Sequence, residues 1–256
     1  MIDIHTHLLP GVDDGSQSIE ASLTVLADFA AGGVDVVVCT PHLDASRATE
    51  APFERNAAIF DQLVAAAPRV PKLLLGWEIM LDEPNVDLRD PHFTLGGSNA
   101  VLVEFGHTMI PPNSAAELHR LRTSGVVPIV AHPERYVNCT AELVKEWRRA
   151  GAVMQMGVSA VLGVGRRQPL VQRLLAEGLI DLFASDTHVD GRSLVPLRQW
   201  LSETATQEHA DLLTKENARR LLTGKPTLPV PPLVHEPGML RRLRELVRGR
   251  KPRGAR

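Results

Sequence analysis

The sequence predicts an α/β protein: a single domain of parallel β-α units, closed or nearly closed into a barrel. Three observations predict it. Apolar runs of strand length alternate with amphipathic helical stretches along residues 1–224, the pattern that sets successive strands parallel. The chain of 256 residues suits one barrel-sized domain. Six of the apolar runs end in His, Asp or Glu, as expected where the carboxyl ends of parallel strands converge on one face.

The elements follow in order. Met1–Ile4 is a short apolar run that ends at His5. Residues 19–31 set Ile19, Leu23, Leu26, Ala27 and Ala30 on one helical face, and Gly32-Gly33 stops the helix. Val34–Cys39 is the β-branched run of a buried parallel strand, ahead of His42. A helix is expected at about 52–67, then a short strand at Leu73–Leu75 ahead of Glu78, and another at Ala100–Val103 ahead of Glu104. Helix 113–124 stops at Gly125, and strand Val126–Val130 leads to His132. Helix 140–150 stops at Gly151, and strand Ala152–Met156 follows. Helix 167–177 stops at Gly178, and strand Leu179–Ala184 leads to Asp186 and His188. Helices at about 193–204 and 215–223 complete the domain.

Composition narrows the function. Hydrophobic residues at 44% and charged residues at 23% exclude wholesale disorder. A net charge of −2 argues against a general nucleic-acid binder. Two cysteines are too few for a disulfide scaffold, so a reducing cytoplasm is expected. No apolar run approaches a membrane span, and the N-terminus has no signal-peptide pattern. Residues 225–256 read as a flexible proline-rich linker and basic tail whose deletion from 226 onward leaves the fold nearly intact. Residues 241–256 hold seven Arg and one Lys against one Glu, a local charge of +7 that leaves −9 on the rest. The tail is either a solubilising appendage or a contact for an acidic partner or membrane surface.

The strand-end residues suit metal binding. His5-x-His7 and Asp186-x-His188 are i, i+2 pairs that point the same way from extended chain. With His42, Glu78, Glu104, His132 and one of Asp13 or Asp14 they make nine candidates, five imidazoles and four carboxylates. That mixture suits zinc, manganese or iron and exceeds what one tetrahedral ion needs. Two or three ions with a bridging carboxylate are expected, the arrangement that serves phosphoryl transfer.

The opening Ile2-Asp3-Ile4-His5-Thr6-His7-Leu8-Leu9-Pro10-Gly11-Val12-Asp13-Asp14-Gly15-Ser16 resembles that of the PHP (polymerase and histidinol phosphatase) superfamily. More narrowly it resembles the CpsB/CapC-type metal-dependent tyrosine phosphatases encoded with bacterial capsule and exopolysaccharide genes. Thr40-Pro41-His42, Gly76-Trp77-Glu78-Ile79, Leu102-Val103-Glu104-Phe105, Ala131-His132-Pro133-Glu134-Arg135-Tyr136 and Ala184-Ser185-Asp186-Thr187-His188 agree in the right order. The resemblance implies a distorted (β/α)7 TIM-like barrel with two to three divalent ions, manganese foremost and iron or zinc as alternatives. It implies that His5, His7 and Asp186 hold one ion, with Glu78 bridging to a second completed by Glu104 and His132. His42, His188 and Asp14, or Asp13, would hold the third. Arg135 matches a phosphate-binding arginine and Arg192 a second one found in some members. The ions would activate the attacking water, so neither Cys39 nor Cys139 is needed as nucleophile.

Three functions compete. The first is a cytoplasmic protein-tyrosine phosphatase acting on the phosphotyrosine-bearing tail of a bacterial tyrosine autokinase. The second is a small-molecule phosphatase of the histidinol-phosphate type. The third is a non-enzymatic assembly protein, against which a complete ligand set argues, because burying so many acids and imidazoles without metal is costly. Trp77, ahead of Glu78 where relatives carry smaller or polar residues, is expected to form a substrate-facing wall.

Overall fold

The computed structural model describes residues 1–162 and 167–233; the basic segment 241–256 lies outside them. The elements run β1 (Ile2–Thr6), α1 (Ile19–Ala31), β2 (Val36–Cys39), β3 (His42–Asp44), α2 (Phe53–Ala66), β4 (Lys72–Leu75), β5 (Glu78–Met80), β6 (Ala100–Glu104) and α3 (Ser114–Thr123). They continue with β7 (Val127–Ala131), α4 (Ala141–Arg149), β8 (Val153–Gly157), α5 (Val158–Leu162), α6 (Gln168–Ala176), β9 (Leu182–Ala184), α7 (Leu194–Thr204), α8 (Gln207–Asp211) and α9 (Asn217–Leu222).

Local chemistry explains the helices. Ser18 caps α1 by accepting from the Ala21 amide, and Leu26 and Phe29 turn inward. Thr140 caps α4 by accepting from the Leu143 amide. Val144 and Trp147 of α4 are buried, while Glu142 and Arg149 stay off that face.

The strands pair in two sheets, ordered β1-β2-β4 and β3-β5-β6-β7-β8-β9, and every strand pairing among the described residues is parallel. Two features join the sheets. The Gly76 amide donates to the Cys39 carbonyl at 2.9 Å and the Glu78 amide to the Pro41 carbonyl at 3.0 Å, so the chain kinks from β2–β4 into β3–β5 without losing its ladder. At the other edge the Asp186 amide donates to the His5 carbonyl at 2.9 Å, and the His7 amide to the Thr187 carbonyl at 3.0 Å. Strands β1, β6, β8 and β9 are buried on both faces, as parallel sheets require. Ile2, Ile4, Leu102, Ile129, Leu182 and Ala184 feed one apolar cluster. The alternate positions Val37, Val101, Val103, Val130, Met154 and Phe183 feed a second, larger one beneath the helices.

The chain after Gly224 departs from the expected linker. Asn217 clamps Leu228, donating to its carbonyl at 3.0 Å and accepting from its amide at 2.7 Å. The Leu233 amide donates to the Leu175 carbonyl at 2.9 Å. Val230 and Leu233 are buried. Two aliphatic side chains and an asparagine clamp therefore hold the stretch up to Leu233 on the domain, beyond the boundary expected at 224. No helix among the described residues is long and apolar enough to cross a membrane.

Candidate metal centre

Strand ends deliver the site. β1 carries His5, with His7 just beyond it; β3 and β5 begin at His42 and Glu78, which are register partners; β6 ends at Glu104. His132 follows β7, and Asp186 and His188 follow β9. His132 and Asp186 sit at φ +32° and +50°, in the left-handed region that such residues seldom adopt. Strain of this kind costs on the order of 1–3 kcal/mol per residue and marks functional positions. The Asp13-Asp14 loop folds onto His7 because residue 15 is glycine: a Cβ there would meet the His7 carbonyl oxygen at 2.1 Å.

The side chains converge on Glu78. Its Oε2 lies 3.1 Å from His5 Nε2, 3.2 Å from His7 Nε2 and 3.2 Å from His42 Nδ1, and its Oε1 lies 2.8 Å from His132 Nε2. Asp186 Oδ1 stands 3.5 Å from His5 Nε2 and 3.4 Å from His7 Nε2. Glu104 lies 3.7 Å from both His132 and His42. Asp14 Oδ1 is 3.3 Å from His188 Nε2 and 3.5 Å from His42 Nε2. The sets His5–His7–Asp186, His5–Glu78–His132 and His7–Asp14–His42–His188 each bring their ligand atoms within 4.8 Å of one another, with Glu78 and Glu104 also grouped with His42. All nine expected residues thus gather in one place.

The structure separates the two aspartates. Asp13 Oδ2 binds His7 Nδ1 at 2.8 Å and orients that ring, leaving Asp14 to face His42 and His188. Gln155 Oε1 plays the same orienting part for His5 Nδ1 at 3.1 Å. Arg135 contacts Asp186 rather than Glu134, whose Oε1 accepts from the Gly157 amide. Arg192 reaches Asp186 at 2.9 Å and Asp190 at 2.6 Å. Both guanidiniums therefore stand at the mouth of the cluster. Trp77 is buried, donating to the His92 carbonyl and packing edge-on against Phe53, so most of it is core rather than open wall. His107 joins the cluster unannounced by the sequence pattern, with Nε2 3.6 Å from Glu104 and its ring edge-on to His132. The loop after β6, rather than a strand end, carries it; a second imidazole three residues past Glu104 was the available signal.

The donor set fits divalent metal. His5 Nε2 and His7 Nε2 face each other at 3.2 Å and share the same two carboxylates, a convergence of lone pairs that a cation would satisfy. Electrostatics agree. Burial opposes a charge on His7, but Asp13, Asp186 and Glu78 override it and lift the ring to about 11. Burial works against ionised Glu78 and Asp186, yet the surrounding imidazoles hold both below the usual carboxylate range. Burial and then the Glu78 charge push Glu104 up to about 8. Burial pulls His132 down to about 4. Without a cation the cluster balances its acids by protonating imidazoles; bound cations would take that role and leave the imidazoles neutral. Neither thiol suits catalysis: burial pushes Cys39 and Cys139 up to about 12.

Fold and site together define a parallel α/β domain with a multi-histidine, multi-carboxylate metal centre at its strand ends. The chain belongs to the CpsB/CapC family of capsular polysaccharide synthesis, which it matches over residues 1–223. It is 28% identical to the tyrosine-protein phosphatase CpsB of Streptococcus agalactiae, over 87% of this chain and 98% of that protein. It is 29% identical to the tyrosine-protein phosphatase YwqE of Bacillus subtilis, over 73% of this chain and 77% of that protein. Among solved structures it resembles one from work on YwqE of Bacillus subtilis and CpsB of Streptococcus pneumoniae, described there as metal-dependent tyrosine phosphatases. The TM-score is 0.76 at 23% identity, covering 93% of this chain and 100% of that one, and it shows a shared fold.

Proposed function

We propose that this chain is a metal-dependent protein-tyrosine phosphatase that dephosphorylates a bacterial tyrosine autokinase controlling capsule or exopolysaccharide synthesis in the cytoplasm. The observation that carries the reading is the gathering of nine imidazoles and carboxylates, with Glu78 at their centre, in a chain of the CpsB/CapC family. On this reading the two sheets and their joining hydrogen bonds form the distorted seven-unit barrel. His5, His7 and Asp186 would hold one ion, Glu78, Glu104 and His132 a second, and Asp14, His42 and His188 a third. Two to three ions are expected, manganese foremost, with iron or zinc as alternatives.

Metal ions held there would supply a water of lowered pKa and positive charge against the phosphoryl group. The protein's own groups do the rest. Asp13 and Gln155 fix the tautomers of His7 and His5 by occupying their Nδ1 atoms. Arg135 and Arg192 bind the phosphoryl oxygens with paired, charge-assisted hydrogen bonds and stabilise the charge of the transferring group. The exposure of the rim favours a protein substrate over a small metabolite: Asp14 is 71% exposed, His107 50% and His42 43%. A phosphotyrosine peptide can approach such a mouth from solvent.

A steady-state panel with manganese tests this: phosphotyrosine peptide, phosphoserine peptide and histidinol phosphate. The phosphotyrosine peptide should have the highest kcat/KM. A higher value for histidinol phosphate would replace the protein phosphatase by a metabolite phosphatase.

A further inference from the structure

A cavity of about 240 Å³ lies beside the metal centre, bounded by β3, the helical turn Ala45–Glu50 and the start of α2. It shares His42 with the cluster, so whatever fills it sits next to the reacting group. Its wall contains Asn56, which is fully buried and whose side-chain nitrogen and oxygen both lack a hydrogen-bond partner among the described residues. Leaving a buried polar group unpaired is costly, so such a group calls for a partner. A carboxamide presents one acceptor and a donor group side by side, the complement of a main-chain peptide group. Arg47 and Arg55 lie on the same wall, exposed and without an ion pair among the described residues. Asp44 and Glu50 also line it, so the surface carries both signs of charge and is no general anion sink.

We propose that this cavity is a peptide subsite that receives the chain flanking the phosphorylated tyrosine, with Asn56 pairing a main-chain peptide group and Arg47 and Arg55 taking an acidic side chain. The inference rests on the phosphatase reading and adds to it how a polypeptide is told from a small phosphoester. The metal centre and the two arginines at its mouth handle the phosphate, and this cavity handles its context.

Three substrates separate the roles: p-nitrophenyl phosphate, a phosphotyrosine peptide with acidic neighbours, and its twin with alanine neighbours. In the manganese-loaded protein, R47A/R55A should lower kcat/KM for the acidic peptide by roughly 10-fold, about 1.4 kcal/mol. The loss should come through KM, with p-nitrophenyl phosphate and the alanine twin unchanged. Asn56→Leu should weaken both peptides alike and spare p-nitrophenyl phosphate. If Asn56→Leu fails to fold, the exposed arginine pair carries the test. The inference falls if R47A/R55A keeps the wild-type ratio of acidic peptide to p-nitrophenyl phosphate, or if all three substrates drop together. If the wild type hydrolyses none of the three, the phosphatase reading falls and takes the inference with it.

Discussion

At the scale of single residues, Glu78 and Arg135 bear the most. Glu78 is the one carboxylate within 3.3 Å of four imidazoles among the described residues. Glu78→Gln removes a charge shared between cations and should lower both metal content and turnover more than any other single ligand change, as elemental analysis alongside kinetics will show. Arg135→Ala should leave metal content and Tm near wild type while kcat/KM falls by roughly 10²-fold, the scale of losing a charge-stabilising donor. Arg135→Lys should recover little, because a point charge lacks the guanidinium fork. An Arg135→Ala protein that loses its metals with activity per folded site unchanged would make the arginine structural. Eight of the nine candidate ligands were legible in the sequence because each follows or ends an apolar run; the ninth came from the Asp13-Asp14 pair in the first loop. His107 was not, since a loop residue has no periodicity to mark it. Whether Asp13 or Asp14 faces the cluster was also beyond sequence reading: the two are adjacent, and only the fold turns Asp13 onto His7.

At the scale of elements, the strands built on apolar runs were readable, and β3 and β5 were not. β6 is apolar over four residues ahead of Glu104 and β7 over five, enough to show as runs. β3 and β5 have three residues each and carry His42 and Glu78 at their first positions, too short for any pattern to emerge. The two-sheet arrangement was equally hidden, because the kinks at Thr40-Pro41 and Gly76-Trp77 depend on tertiary hydrogen bonds. Composition misled at the C-terminal end. Proline-rich sequence resembles a linker, yet Val230 and Leu233 find apolar sites and Asn217 fixes the backbone at Leu228, just ahead of them. Truncation after Gly224 should therefore cost about 3–6 kcal/mol for two buried aliphatic side chains. At about 2–4 °C per kcal/mol for a domain of this size, the melting temperature should fall by on the order of 10 °C. A chain ending at Leu233 keeps both side chains and should melt well above one ending at Gly224, and calorimetry on the two truncations will distinguish them.

At the scale of the whole molecule, fold and site are one design: strands buried on both faces hold a charged cluster where their carboxyl ends meet. Without metal that cluster should make stability pH-dependent. His7, lifted to about 11, contributes stability that is complete below its ordinary pKa and is lost as pH rises through the folded value. Glu104, lifted to about 8, acts in the same direction. EDTA-treated protein should accordingly lose melting temperature between about pH 7 and 9, whereas metal-loaded protein should change less over that window.

The central claim, that nine side chains build a multinuclear metal centre that performs the hydrolysis, is tested most directly by elemental analysis of the purified protein with activity measured on the same samples before EDTA, after EDTA and after added Mn²⁺. The expected result is two to three manganese, iron or zinc ions per chain, loss of phosphotyrosine hydrolysis as they are stripped, and its return with Mn²⁺. Protein that holds no metal and turns over undiminished in EDTA would contradict the account.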